Sequence, residues 1–229
     1  MTWLSDFGHL FFPNICAACG RNLLTGENAL CISCQVALPR TRFWARKEND
    51  IEKLLWGRVD LQLADAFLLM PKKGVVQRLI HELKYKGNQD LGLQLGRLFG
   101  KEIMNHSKFN HIDVLMPVPL HPHKKRIRGY NQCDLIAAGM NEWLQTDLHT
   151  ETLIRTNFNS SQTKLSRYNR WSNVEEIFIL NEPAALYGKH VLLIDDVITT
   201  GSTIEACAQA IQKAGDVKLS VASLAIPSK

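Results

Sequence analysis

The feature that most constrains the fold is an alternation of short apolar runs with amphipathic stretches, which begins near Val59. The apolar runs have the length of buried strands, and the stretches between them repeat apolar residues every three or four positions, as a helix does. Strands and helices in this order predict an α/β fold with a parallel sheet and helices on both faces. We expect strands at 61–70, 111–119, 189–197 and 217–226, and helices at 75–85, 91–104, 133–144 and 203–215. The first of these helices has its apolar face at Val76, Leu79, Ile80 and Leu83.

Four of the six cysteines lie close together near the amino end, in the pairs Cys16-Ala-Ala-Cys19 and Cys31-Ile-Ser-Cys34. Paired CxxC turns bring thiolates to the spacing that tetrahedral zinc requires, and four protein ligands leave no position for a substrate, so we predict a structural zinc ribbon. An iron–sulfur centre and a metal-free knuckle are alternatives, whereas disulfides are disfavoured in a chain without an export signal. The isolated Cys133 and Cys207 are interpreted as core residues.

These patterns divide the chain into a zinc-ribbon module at 1–40, a connection at 41–58 and an α/β domain at 59–229. Hydrophobic residues make up 45% of the 229 residues, which is enough for a buried core. No apolar run reaches the roughly 18 residues of a membrane-spanning helix. The amino end carries an acid where a secretory signal carries basic residues, so we expect a cytoplasmic protein without membrane insertion.

The positive charge of the chain is small but partly clustered. The formal net charge is +5, and the run from His121 to Tyr130 contains four Lys or Arg residues and no acid. Taken alone, such a run is equally well explained as a solvated loop. It indicates an anionic ligand only if another feature of the chain supplies one.

A predicted buried strand ends in two adjacent acids, Asp195 and Asp196, and a hydroxyl-rich stretch follows at Thr199–Thr203. Parallel α/β sheets bind ligands at the carboxyl ends of their strands, where these residues are expected. The unpaired N–H groups of the next helix, with Gly201 allowing close approach, predict a phosphate-binding loop. An ordinary capped helix is the simplest alternative, although two acids are costly to bury without partners. In a nucleotide hydrolase, an aspartate at the end of such a strand holds Mg²⁺, and the same protein needs a GxxxxGK[ST] phosphate loop. Neither Gly-Lys pair of this chain is followed by Ser or Thr, so this class of protein is excluded.

The stretch VLLIDDVITTGST, at Val191–Thr203, resembles the phosphoribosyl-pyrophosphate (PRPP) binding signature of type I phosphoribosyltransferases at all thirteen positions. The resemblance implies the parallel-sheet fold of that superfamily. It also implies that Asp195 and Asp196, as the catalytic pair, contact the 2′ and 3′ hydroxyls of the ribose directly or through Mg²⁺. Those acids would compensate the positive charge that grows on the sugar as pyrophosphate leaves. The implied PRPP-binding residues are Val197, Thr199, Thr200, Gly201, Ser202 and Thr203, and all except Val197 are assigned to the 5′-phosphate.

A PRPP site also needs cations for the pyrophosphate, preferably on a loop that closes and excludes water. The basic run after the strand at 111–119 and the end of the helix at 75–85 both carry cations. We therefore predict the pyrophosphate-binding residues Lys84, Lys86, Lys124, Arg126 and Arg128. A second polar stretch, at 160–178, is either a surface crossover or a lid over the acceptor site, and it carries Lys164, Arg167 and Arg170.

Six blocks that occur in order from residue 11 to residue 203 are similar to the ComF family of competence-associated, phosphoribosyltransferase-like proteins. They are FFPNICAACG, CISC, IHELKYKGN, PVPLHPHKKRIRGYNQ, SQTKLSRYNRWSN and VLLIDDVITTGST. This resemblance implies a zinc ribbon in front of a phosphoribosyltransferase domain. It also implies a role in natural competence and DNA uptake, with single-stranded DNA and other competence proteins as partners.

Three functional hypotheses follow. The leading one is a protein that binds PRPP with Mg²⁺ and either transfers the phosphoribosyl group to an acceptor that the sequence does not identify or only holds PRPP. The second is a single-stranded-DNA-binding accessory protein with a vestigial PRPP pocket, whose basic loops and aromatics such as Trp44, Tyr130 and Trp171 contact the strand. Each of these aromatics, taken singly, is better explained as a core or lid residue. The third is a nucleotide salvage phosphoribosyltransferase with an incidental zinc knuckle.

Overall fold

The computed structural model describes residues 14–156 and 177–228. Its helices and strands alternate as the sequence predicts. In chain order the elements are α1 (Ile32–Ala37), α2 (Asp50–Leu55), β1 (Leu63–Met70), α3 (Val75–Tyr85), α4 (Gln89–Ile103), β2 (Val114–Pro117), α5 (Pro122–Arg128), α6 (Gln132–Leu144), β3 (Asp147–Leu148), β4 (Leu153–Arg155), β5 (Phe178–Leu180), β6 (His190–Val197), α7 (Ser202–Gln212) and β7 (Lys218–Pro227). Short 3-10 turns lie at Phe43–Ala45, Ser107–Phe109 and Pro183–Leu186.

The central sheet has five strands in the order β1-β7-β6-β2-β3, and every neighbouring pair is parallel. The four predicted strands are therefore confirmed as β1, β2, β6 and β7. The sequence pattern missed β3 and the separate antiparallel pair β4–β5, which are two or three residues long and too short to show a periodicity. The strand that carries the acid pair, β6, lies inside the sheet between β7 and β2.

Helices pack on both faces of the sheet, as predicted. In β6, Leu192 and Ile194 enter one core together with α3, α4 and α6, whereas Val191 and Leu193 enter a second core together with α2 and α7. The alternation follows from the two-residue repeat of a strand. The predicted apolar face of α3 is also confirmed, because its four residues are all buried.

The helices α4 and α6 approach each other closely because glycines line their contact. A Cβ atom at Gly96 would lie 2.2 Å from the carbonyl oxygen of Ile136, and one at Gly139 would lie 2.2 Å from that of Leu93. No side chain fits at such a distance, so these two positions determine how near the helices come. The contact fixes the position of α6, whose first residues reach the acid pair.

The basic run from His121 to Tyr130 was expected to form a loop, and this expectation is wrong for most of it. Residues Pro122–Arg128 form the helix α5, with proline in its first turn. The His121 ring accepts a hydrogen bond from the backbone N–H of His123 at 3.2 Å, and Gly129, at φ +83°, ends the helix in the left-handed conformation. These end signals stabilise a helix too short to show an apolar repeat.

The predicted connection at 41–58 packs against the sheet. Its residues Phe43, Ile51 and Leu55 are buried in the same core as α7. The segment also covers the edge of β1, where the side-chain amide of Asn49 donates to the carbonyl of Ala64 at 2.7 Å. The domain boundaries themselves stay predictions. Within residues 14–156 and 177–228, no helix combines the length and the apolar character that crossing a membrane requires.

Candidate functional site

The two acids lie near the carboxyl end of β6, where Asp195 is 8% and Asp196 is 6% exposed. Adjacent strand residues point to opposite faces, so Asp195 faces the α7 side of the sheet and Asp196 the α3 side. One carboxylate oxygen of each still lies within 4.8 Å of the other and of the Cys133 Sγ. The structure thus brings the pair together in a site almost closed to water.

Asp196 is held by two side chains from different helices. The Nζ of Lys84, at the end of α3, lies 2.8 Å from Oδ1, and the side-chain amide of Gln132, at the start of α6, donates to Oδ2. The lysine supplies the charge that a buried carboxylate requires, and the amide satisfies the second oxygen. Each oxygen of Asp196 therefore has a protein partner before any ligand binds.

Asp195 has weaker partners. Its Oδ1 accepts from the backbone N–H of Asp196 at 2.8 Å and lies 3.8 Å from the Cys133 Sγ. Burial raises the pKa of Asp195 to about 7, and the negative charge of Asp196 adds to this rise. A cation or a pair of hydroxyl donors at this position would relieve both effects.

Carboxylate oxygens are ligands that Mg²⁺ prefers, so the acid pair is the place where such an ion would be held. Both oxygens of Asp196 and Oδ1 of Asp195 already have a protein partner, so Lys84 or Gln132 would have to give way before Asp196 could bind it. The neighbouring Cys133 is buried, and this burial raises the pKa of its thiol well above the usual value, which favours the protonated form. Residues Asp195 and Asp196 are thus the side chains that would hold the ion.

The hydroxyl-rich loop follows β6 directly and opens α7. Thr199, Thr200 and Ser202 are exposed, and the hydroxyls of Thr200 and Ser202 lie 3.0 Å apart. Gly201, at φ +78°, begins the helix in a conformation that other residues rarely adopt. Val197 is the half-buried last residue of β6, and Thr203 is half-buried in the first turn of α7. The loop thus presents hydroxyls to solvent at the start of a helix, the kind of position at which anions bind in other proteins.

Arg58 holds this loop from behind, a role that sequence analysis missed. Its Nη1 donates to the carbonyl of Thr200 at 2.8 Å, and its Nη2 lies 2.6 Å from the carboxylate of Glu205. The arginine stands at the end of the predicted connection, where nothing in the sequence marks it as a neighbour of a loop 142 residues away.

The predicted pyrophosphate cations do not all come together. Lys84, Lys124 and Arg128 line one pocket of about 300 Å³. Arg126 lines a different pocket, because it lies two residues from both Lys124 and Arg128 and points to the other side of α5. Lys86 is exposed, with its Nζ 3.9 Å from a Glu82 oxygen. The structure therefore groups three of the five residues beside the acid pair.

Residues at the start of α6 also belong to the site, although sequence analysis did not select them. The Asn131 side chain caps α6 by accepting from the Cys133 N–H at 3.2 Å, and it donates to the carbonyl of Val118 at 3.1 Å. The hydroxyl of Tyr130 donates to the carbonyl of Leu83. The signal that could have revealed them is Asn131, a residue type that caps helices, directly before the predicted helix at 133–144.

The four amino-terminal cysteines come together as predicted. The Sγ atoms of Cys16, Cys19, Cys31 and Cys34 all lie within 4.8 Å of one another, and they could hold a metal ion. The Arg21 guanidinium donates to Cys19 and lowers the pKa of that thiol to about 6, which favours the thiolate form. The cluster is attached to the α/β core, since an Nη of Arg78 in α3 donates to the carbonyl of Ala18 at 3.0 Å.

The remaining predicted features have mixed outcomes. Cys207 is buried in the core as expected, and Cys133 is buried as well but touches the acid pair. Lys164, Arg167, Arg170 and Trp171 lie outside the described residues.

Fold and site together define a parallel α/β protein with a buried acid pair, a hydroxyl-rich loop at the start of a helix and a four-cysteine cluster. No family model matches the chain. The DNA utilization protein YhgH of Escherichia coli (strain K12) is 30% identical over 211 residues, which cover 90% of this chain and 88% of that protein. Competence protein F of Haemophilus influenzae is 25% identical over 231 residues, which cover 94% of this chain and 98% of that protein. The chain belongs to the family of YhgH and competence protein F, which confirms the resemblance to the ComF family.

Solved structures show a more distant likeness. One is described as the allosteric regulatory enzyme of purine biosynthesis; it has 18% identity and a TM-score of 0.40, and the match covers 58% of this chain and 26% of that one. Another is the glutamine PRPP amidotransferase of Bacillus subtilis, with 18% identity and a TM-score of 0.41 over 58% of this chain and 27% of that one.

Proposed function

We propose that the protein binds PRPP together with Mg²⁺ at the carboxyl end of β6 and acts as a phosphoribosyltransferase. The observation that carries the proposal is the order of three chemically distinct sites along this edge. An exposed loop of hydroxyls follows the buried acid pair directly in the chain, and Lys84, which lines a pocket of cations, lies 2.8 Å from Asp196. PRPP has the same order, with a 5′-phosphate, a ribose diol and a pyrophosphate.

Each part of the ligand would meet a matching group. The N–H groups and hydroxyls from Thr199 to Thr203 would bind the 5′-phosphate. Asp195 and Asp196 would accept hydrogen bonds from the ribose hydroxyls and would hold Mg²⁺. Lys84, Lys124 and Arg128 would bind the pyrophosphate. When bound, the metal ion would neutralise charge on the diphosphate.

The protein would catalyse transfer mainly by positioning and electrostatics. An acceptor attacks C1 of the ribose while pyrophosphate leaves, so no protein nucleophile is required. The acid pair would stabilise the positive charge that develops on the sugar, and the cation pocket would stabilise the leaving group. The acceptor class stays open between nucleobases and amines. A protein that binds PRPP as a ligand without transfer is the other form of this proposal.

We also propose that the four cysteines bind one structural Zn²⁺. All four positions of a tetrahedral site are filled by protein thiolates, so the ion would stabilise the module and take no part in catalysis. The biological setting we propose is the use of DNA taken up during competence, because the relatives are named for competence and DNA utilization.

Replacing both acids tests the PRPP site directly. The double variant Asp195→Asn, Asp196→Asn keeps the shape of both side chains but replaces both carboxyl groups by amides that cannot ionise. Calorimetry with PRPP and Mg²⁺ should show binding to the wild type and none to this variant. A matched control is Asp60→Asn, Asp216→Asn, which makes the same charge change at two exposed positions. Unchanged affinity in the first variant would overturn the site assignment.

A turnover assay distinguishes a protein that transfers the phosphoribosyl group from one that only binds PRPP. Pyrophosphate release from PRPP would be measured with nucleobases and with amines as acceptors. Acceptor-dependent release would establish transfer, and a salvage enzyme would be recognised by its preference for nucleobases. If the protein binds PRPP but none of these acceptors causes release of pyrophosphate, the result would favour a protein that only holds PRPP.

A second candidate function, single-stranded-DNA binding, is favoured by a basic cleft away from the acid pair. Arg40, Arg42, Arg46 and Lys101 line a cleft of about 870 Å³ together with Trp44, whose ring stacks on His106 at 3.5 Å. The acid in this lining, Glu102, lies 2.5 Å from Arg40, so four cations share the cleft with one acid. A cationic surface with aromatics is the usual platform for single strands.

Salt dependence tests this candidate. A single-strand binder should lose affinity steeply as salt rises. The variant Arg42→Glu, Arg46→Glu should abolish that affinity, whereas Lys72→Glu, Lys73→Glu, the same charge change at exposed positions outside the cleft, should reduce it much less. Replacing Arg126 and Arg128 by Ala tests the other basic run. Negligible binding by the wild type at physiological salt would remove the candidate.

A further inference from the structure

Gln132 joins the two halves of the site. It is the first residue of α6, and only 4% of it is exposed. Its Nε2 donates to Oδ2 of Asp196, and its Oε1 accepts from Nη1 of Arg128. Because Lys84 lies on the other oxygen of Asp196, at 2.8 Å, a continuous chain of contacts runs Arg128–Gln132–Asp196–Lys84. Its two ends, Arg128 and Lys84, line the cation pocket, and Asp196, in the middle beside Gln132, is one of the two acids.

The chemistry of this position matches an amide. A primary amide carries a donor and an acceptor on the same end, so it can bind a carboxylate and a guanidinium at once. A carboxylate here would accept from Arg128 but repel Asp196. A lysine would bind Asp196 but repel Arg128. Among side chains of this length, glutamine thus satisfies both neighbours.

The surroundings hold Gln132 in place. The preceding residue, Asn131, caps α6, and Tyr130 ties the same turn to α3 by donating to the carbonyl of Leu83. The close contact between α4 and α6 fixes the axis of the helix. A side chain attached to so rigid a backbone can keep its partner in one orientation.

We propose that Gln132 is a positioning residue that couples the pyrophosphate pocket to the acid pair. An anion in the pocket draws Lys84 and Arg128 toward itself, and Asp196 is released from its internal counter-ion while Gln132 continues to hold one of its oxygens. The freed carboxylate then meets the ribose hydroxyls. This inference rests on the proposed PRPP site and adds a residue that links the binding of the two ends of the ligand.

The test uses three ligands, each with Mg²⁺, in calorimetry: PRPP, ribose 5-phosphate and inorganic pyrophosphate. The variant Gln132→Met keeps the length of the side chain and removes both hydrogen bonds. Since hydrogen bonds to charged groups are strong, we expect about a tenfold or larger loss of affinity for each of the three ligands. Gln89→Met is the matched control, because Gln89 is the first residue of α4 and is exposed; its affinities should equal those of the wild type.

A double-mutant comparison distinguishes coupling from a general structural effect. Arg128→Met should weaken ribose 5-phosphate binding in the wild type, although Arg128 does not face the phosphate loop. It should have no further effect in the Gln132→Met background, because Arg128 acts on Asp196 only through Gln132. Additive losses would overturn the proposal. A lower unfolding temperature with unchanged affinities would also overturn it.

Other outcomes are equally decisive. If Gln132→Met does not fold, Gln132→Glu carries the test: it can accept from Arg128 but cannot donate to Asp196, so ribose 5-phosphate binding should fall more than pyrophosphate binding. Equal affinities in the wild type and the variants would refute the coupling alone and leave the PRPP site standing. A wild type that binds none of the three ligands would refute both.

Discussion

The clearest quantitative prediction concerns Asp65, a buried acid of β1 outside the proposed site. It is 1% exposed, its Oδ1 accepts from the N–H of Ala66 at 2.8 Å, and its Oδ2 has no hydrogen-bond partner among the described residues. Burial raises the pKa of Asp65 to about 7, and the charge of Glu102 adds to the rise. The folded protein therefore keeps a proton on Asp65 that the unfolded chain releases.

The sign of the effect on stability follows from linkage. An unfolded aspartate has a pKa of about 3.9, so between about pH 4 and pH 7 the folded state binds more protons and loses stability as the pH rises. A difference of about 3 pKa units corresponds to about 4 kcal/mol, which is an upper value because part of the burial relaxes in solution. The slope cannot exceed about 1.4 kcal/mol per pH unit, since one proton is involved.

Asp65→Asn removes this proton while keeping the shape of the side chain and the acceptor for Ala66. The gain in unfolding free energy over the wild type should therefore be small near pH 4.5, grow with pH, and level off above pH 7, with about 3 kcal/mol separating pH 5 from pH 8. Urea unfolding at several pH values measures it, and titration of the cysteines cancels in the difference. Asp60→Asn, at an exposed position, should show no such slope. A difference for Asp65→Asn that does not change with pH would refute the reasoning.

Three further predictions concern the packing, the loop and the metal. Gly139→Ala should destabilise the fold by about 2 kcal/mol or more in urea unfolding, because its Cβ would lie 2.2 Å from a backbone oxygen; Gly74→Ala, whose nearest atom is 4.0 Å away, should cost at most about 1 kcal/mol. Arg58→Met should weaken ribose 5-phosphate binding several-fold with little loss of stability, since its ion pair with Glu205 is partly exposed; equal affinity would show that the loop needs no support. Metal analysis should find about one zinc per chain, and replacing the four cysteines by serine should remove it and lower the unfolding temperature; iron in the purified protein would refute the zinc assignment.

The sequence predicted the framework well because its signals are local. Each long strand and helix carries its own repeat of apolar residues, so β1, β2, β6 and β7 could be recognised one at a time, as could the face of α3. The cysteine pairs are equally local, because two ligands of each pair are three residues apart. The helix α5 was not predicted because its end signals, a proline and a glycine, are also common in loops.

Residues that act across long separations were not predictable in this way. Arg58 and Thr200 are 142 residues apart, and Gln132 and Asp196 are 64 apart. Neither Arg58 nor Gln132 belongs to a sequence pattern that indicates which distant residue it contacts. The five cations predicted for pyrophosphate were chosen from their charge and from their places after a strand or at the end of a helix, and helix geometry separated Arg126 from Lys124 and Arg128.

By itself, the sequence determined the parallel α/β class, the four-cysteine cluster and the order of acids and hydroxyls from Asp195 to Thr203, because these depend on residues close together in the chain. Only the tertiary structure decided which helices reach the acids. The end of α3 brings Lys84 and the start of α6 brings Gln132, and the position of α6 depends on how closely it packs on α4 at Gly96 and Gly139. The partners of a buried charge are set by packing, and packing is a property of the whole fold.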